Sequence, residues 1–86
     1  MNQQGFIWKD YMIFVSERFP KKYYALVNQK RVFFGDVRYQ QFNDKLGVYK
    51  HLNHKDANRR RLYKKRMEKN RHVKESAGWF ADNLLW

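Results

Sequence analysis

The amino-acid sequence predicts an α+β fold: a small antiparallel β-sheet, read as a hairpin, followed by a long basic helix and a short C-terminal helix. Three observations carry that expectation. β-forming apolar runs crowd the first half of the chain, at Tyr11–Val15, at residues 22–27 and at residues 31–34. The second half opens on Asp56, a residue type that caps helix N-termini, and residues 57 to about 72 contain neither Gly nor Pro. Ser76 is placed to cap a further helix carrying Trp79, Phe80, Leu84 and Leu85.

Within the hairpin, Pro20 breaks the chain before the first strand, Asn28-Gln29-Lys30 makes the turn, and Gly35-Asp36 ends the second strand. Tyr23, Ala25 and Val27 alternate with Tyr24, Leu26 and Asn28, so both faces start apolar; the sheet should be covered on one side and partly on the other. Residues 36–54 hold Tyr39, Phe42, Leu46, Val48, Tyr49 and Leu52 without a clean period, and Gly47 interrupts them. They read as an aromatic-rich connector with one helical turn. The 86 residues fit one small domain, with 1–20 as an extension or extra strand, 21–54 as hairpin and connector, and 55–86 as the helical part.

Charge is the strongest functional signal. Nineteen Lys and Arg stand against eight Asp and Glu, for a net charge of +11. Self-repulsion of that size destabilises a small compact state, so a polyanion or an acidic protein surface is the natural partner. Residues 55–74 concentrate it: Lys55, Arg59, Arg60, Arg61, Lys64, Lys65, Arg66, Lys69, Arg71 and Lys74, with only Asp56 and Glu68 opposing them. A merely solvated helix would interleave Glu four residues before Lys. Here the cations cover most of the cylinder and leave Leu62, Tyr63, Met67 and Val73 to face a core. These ten residues are therefore the candidate surface for nucleic acid or for acidic protein. Phosphate neutralisation would stabilise them through counterion release. No helix-turn-helix, zinc finger or ribonucleoprotein motif is present, so the expected reading is of shape and charge, not base sequence.

Aromatic side chains have two uses. Tyr23, Tyr24, Phe33 and Phe34 could stack bases, although in so small a domain their first task is the core. Trp79, Phe80 and Trp86 could pack back on the sheet or anchor the chain in a partner; the expectation adopted for them is that of partner anchors.

Catalytic chemistry finds little support. His51-Leu52-Asn53-His54, with His72 downstream, is faintly similar to a His-and-Asn nuclease motif, but neither Asp44 nor Asp56 is spaced to complete it. There is no cysteine, no Gly-rich phosphate loop and no Ser/His/Asp arrangement. The expectation is a non-enzymatic protein with no catalytic residue, metal, cofactor or small-molecule substrate. A membrane partner is not expected either, because no basic helix has a broad apolar face. Tyr11–Val15 is too short for a signal peptide core or a membrane span.

The succession Lys21-Lys22-Tyr23, Phe34-Gly35, Tyr39, His54-Lys55-Asp56, Arg59-Arg60, Tyr63, Arg66, Ser76, Trp79-Phe80 and Leu84-Leu85-Trp86 resembles small basic proteins of large nucleocytoplasmic DNA viruses and some tailed phages. The likeness covers residues 21–86. It departs where that family has a glycine-rich step and this chain has Asp36-Val37-Arg38, and where the family has Arg-His and this chain has Arg66-Met67. The resemblance implies a viral origin and leaves the activity open. The resulting expectation is a structural component of a viral particle, a minor capsid or cement protein, bound to acidic capsid surface or packaged genome. The alternative is a free, sequence-nonspecific nucleic-acid-binding protein. Either would act in the virion or the infected-cell interior, without a signal peptide.

Overall fold

Four strands form one antiparallel meander, each pairing with the next in the chain: β1 (Gly5–Trp8), β2 (Tyr11–Val15), β3 (Lys21–Val27) and β4 (Lys30–Asp36). Helices α1 (Ala57–Arg66) and α2 (Ala77–Leu84) follow, after a connector containing a single 3-10 turn at Lys50–Leu52. These elements come from a computed structural model that describes residues 5–86.

The expected architecture, a hairpin followed by one long helix, is thereby corrected. The hairpin read at residues 22–34 is β3–β4, but it is only half of the sheet. A two-stranded hairpin is marginal by itself, and β1 and β2 supply the missing apolar face. Phe6 pairs with Ile13 and Trp8 with Tyr11, which places four large side chains on the covered side. Ile7, between them, lies on the opposite face and is 76% exposed. With apolar groups on both faces, β1 has no period-2 contrast to mark it in the sequence.

The expected long helix also divides. Asp56 caps α1 through hydrogen bonds from the backbone N–H groups of Asn58 and Arg59. The helix stops at Arg66, well short of residue 72. Arg60/Lys64 and Arg61/Lys65 are like-charge pairs four residues apart, and Lys65/Lys69 would be another; each destabilises a helix. Glu68, the acid that could have relieved them, bonds Arg71 and His72. The Met67 carbonyl accepts from both Asn70 and Arg71, while the Arg71 guanidinium bonds the Lys64 carbonyl in the last turn. The reversal through residues 67–76 returns the chain to the sheet. Ser76 then caps α2 by accepting the Trp79 N–H.

α2 covers the sheet. Ile13, Tyr23, Ala25 and Phe34 from the strands meet Phe80, Ala81, Leu84 and Leu85 in one core. Tyr23, Phe34 and Phe80 stack in a column, with ring centres 5.7 and 5.6 Å apart. Gly35 makes this approach possible. Its φ of +76° lies in the left-handed region, and a Cβ there would stand 2.9 Å from Leu85 Cδ1 and 3.0 Å from Lys22 Cβ.

Residues 37–54 are held by buried polar groups. The Asp44 carboxylate accepts the Tyr23 hydroxyl at 2.6 Å and the backbone N–H groups of Leu46 and Tyr49 at 2.9 and 2.8 Å. Asn53 Oδ1 accepts from the Asp44 N–H and from the Gln41 amide, and Gln41 also donates to the Tyr49 carbonyl. The same segment finishes α2: the Asn43 and Lys45 N–H groups donate to the carbonyls of Leu85 and Leu84, which have no acceptor role within the helix.

Two stability changes follow. Asp44→Ala strands three donors in the interior and should cost about 3 kcal/mol in urea unfolding, against about 1 kcal/mol for Tyr23→Phe, which removes one hydrogen bond. At the β3–β4 turn, Asn28 and Gln29 both have positive φ, 51° and 70°, as a two-residue hairpin loop of this kind requires. Gln29→Gly should raise stability by about 1 kcal/mol in the same assay, because only glycine adopts that conformation without steric cost.

Candidate nucleic-acid interface

α1 has no buried residue and three different faces. One face turns to α2. There Lys64 Nζ bonds Asp82 at 2.8 Å, Arg71 lies 3.8 Å from the same carboxylate, and Arg60 Nε bonds the Trp86 carbonyl at 2.7 Å. A second face looks onto β4 and carries Arg59, Tyr63 and Arg66. The third face looks to solvent with Arg61 and Lys65, and the following turn adds Lys69 and Lys74.

The ten candidate cations therefore divide. Arg60, Lys64 and Arg71 are engaged in holding the helices together. Arg59 bonds the exposed Gln40 side chain and Arg61 bonds Asn58, so both keep their full charge. Lys55, Lys65, Lys69 and Lys74 are exposed, and among the described residues their side chains make no hydrogen bond or ion pair. Arg66 lies over the Tyr63 ring at 5.7 Å. The nearby acids are occupied: Asp56 by the α1 N-terminus, Glu68 by Arg71 and His72, and Asp82 by Lys64 and Arg71.

The three aromatic candidates lie against the chain itself. Phe80 is wholly buried and Trp79 packs on Trp8 and Tyr11. Trp86 stacks face to face on Tyr63, ring centres 4.0 Å apart and planes within 5°, with His54 on its other flank at 5.2 Å. That stack is the main apolar attachment of α1. Of the hairpin aromatics, Tyr23 and Phe34 belong to the core. Tyr24 and Phe33 form a cross-strand row with Phe14 on the opposite sheet face, where Arg18 lies 4.6 Å from the Phe33 ring.

The histidines do not converge. His72 pairs with Glu68, and His51 stands beside Tyr49. His54 Nδ1 accepts the Asp56 N–H, its Nε2 is buried with no partner, and burial together with Arg59 pushes its pKa down. Among the described residues no three of His, Asp or Glu are grouped to hold a metal ion.

Between β4 and the helices lies a groove of about 460 Å³, which the sequence did not reveal. It gathers Lys21 and Lys22 from β3, Tyr39 from the connector, and Arg59 and Arg66 from α1. Lys22 is 1% exposed. Its ammonium donates to the Tyr39 carbonyl at 3.0 Å and to Gln41 Oε1, and burial pushes its pKa down. Asp36 is the groove's one acidic side chain among the described residues. Arg38 grips both of its oxygens, at 3.0 and 2.8 Å, and lowers its pKa to about 2, through the side chain first and the backbone N–H second. A sequence signal existed in part: adjacent strand residues face opposite sides of a sheet, so Lys21 and Lys22 cannot share one face.

No family model, curated protein or solved structure matches this chain. No described helix is long and apolar enough to cross a membrane.

The Asp36 carboxyl should titrate with a midpoint near 2 in carbon-detected NMR, and Arg38→Gln should return it toward its ordinary 3.8. Because the folded value is depressed, the stability this group contributes is present above the ordinary carboxylate range and is lost as pH falls toward 2.

Proposed function

We propose that this protein binds nucleic acid through the phosphate backbone, without reading base sequence, and that Lys55 before α1, the solvent face of α1 and the turn after it supply the cations. The observation that carries this reading is the set Lys55, Lys65, Lys69 and Lys74, exposed beside acids that bond other groups: Asp56 the α1 N-terminus, Glu68 Arg71 and His72, Glu75 the Tyr11 hydroxyl, and Asp82 Lys64 and Arg71. A solvated helix gains nothing from such an excess; a polyanion neutralises it and releases counterions. The packing of Trp86 and Tyr63 presents the cations on a fixed support, which suits contacts to a regular phosphate array. Packaging of a genome within a particle, the setting implied by the resemblance to viral proteins, is one context in which such binding would operate.

Duplex-DNA affinity across a salt series tests the reading. The wild type should show a steep dependence of log affinity on log salt. Lys65→Gln, Lys69→Gln and Lys74→Gln combined should flatten the slope by nearly three units, at roughly 0.9 per phosphate contact. A shallow slope unchanged by the three substitutions would direct this face to acidic protein instead.

A further inference from the structure

The groove beside β4 has the makings of a ligand site distinct from the outer face of α1. It has an apolar floor, formed by Phe34, Ala81 and Leu85. At about 460 Å³ it falls within the range of roughly 300–1,000 Å³ in which small ligands are held. Tyr39 stands at its rim with 65% of its surface exposed, and its ring has the Arg38 guanidinium 5.9 Å from its centre.

Its charge is one-sided. Lys21, Arg59 and Arg66 surround it, while Asp36, the single acidic side chain of its lining among the described residues, is paired with Arg38. Lys22 adds a buried ammonium that forms no ion pair among the described residues, its two bonds going to neutral oxygens. The Asp44 and Asp36 carboxylates act on it only without direct contact, so burial still costs the ammonium more than they return, and a further anion nearby offsets part of that cost. Flat apolar surface inside a cationic ring is complementary to one molecule shape in particular: a planar base attached to a phosphate.

We propose that this groove receives one unpaired nucleotide, its base against Tyr39 and the apolar floor and its phosphate among Lys21, Arg59 and Arg66, so that the protein prefers single-stranded over duplex nucleic acid. The assignment rests on the phosphate-backbone reading above and extends it. Arg59 and Arg66 lie on the helix that carries the outer cations, so a strand tracking α1 passes the groove mouth. Bases stacked within a duplex cannot enter; an unpaired base can.

Fluorescence anisotropy with labelled oligothymidylate and with the matching A·T duplex separates the two levels. The wild type should bind the single strand about tenfold more tightly at equal salt, and Tyr39→Ala, an exposed position, should abolish that margin while leaving duplex affinity unchanged. In parallel, thymidine 5′-monophosphate added to the nitrogen-15-labelled protein should shift the Gly35 and Gly78 amides and the Trp86 indole. Equal single-strand and duplex affinity, untouched by Tyr39→Ala, overturns the groove assignment and leaves the backbone reading standing. Failure to bind either nucleic acid overturns the backbone reading, and the monophosphate shifts then decide the groove alone. The same shifts produced equally by oligoglutamate overturn the nucleotide as occupant.

Discussion

The Asp44 carboxylate ties the connector to the middle of the sheet, beside the packing of Leu46 and Tyr49 on the core. It takes the Tyr23 hydroxyl from the middle of the sheet and two backbone N–H groups from the connector, and its own N–H is bound by Asn53. Residues 37–54 have no regular ladder of their own, so their backbone groups need side-chain partners once they are covered. Asp44, Gln41 and Asn53 provide them in one shared set. With that segment fixed, Asn43 and Lys45 can close the end of α2, and the Leu84–Leu85 pair can sit against the sheet. A low-dielectric interior strengthens each bond in such a network and makes each missing one expensive.

The same constraint places the cations. α1 has almost no apolar stripe, and it stays on the protein through the Tyr63–Trp86 stack and the bonds of Arg60 and Lys64. Those attachments lie on the two faces turned to α2 and to β4 and leave the solvent face clear. The remaining face of the helix is therefore free to carry charge without weakening the core, and the acids nearby serve capping and helix–helix contacts in preference to screening the cations. Local stability and a strongly positive surface are reconciled by giving them different faces of one short helix.

Much of this was legible in the sequence, for reasons that can be named. Asp56 and Ser76 announced both helix starts because capping is a local hydrogen bond. The β3–β4 hairpin was legible because its β-forming runs flank a short polar turn. β1 escaped notice because Ile7 is apolar on an exposed face. The end of α1 was misplaced because intrinsic propensity favours helix through residue 72, whereas like-charge repulsion and the return of the chain to the sheet stop it at Arg66. The ten cations of residues 55–74 were visible as charge, but their division into structural and available groups depends on Asp82 and Trp86, which are distant in sequence. The groove was not legible at all, since it is assembled from β3, β4, the connector and both helices.

Gly35 gives that assembly a mutational character. The separation of α2 from β4 is set there by the absence of a single carbon atom, with Leu85 and the Lys22 stem closing on the empty position from two sides. Every other residue at this position would act as a wedge against Leu85 and the Lys22 stem, at the groove floor and in the core at once. The dimensions of the cleft are thus inherited through one codon, while its chemistry is distributed over many. Variants of this fold could change the charge along the rim by exchanging residues there, yet they would have to keep this glycine to retain a cleft of that width.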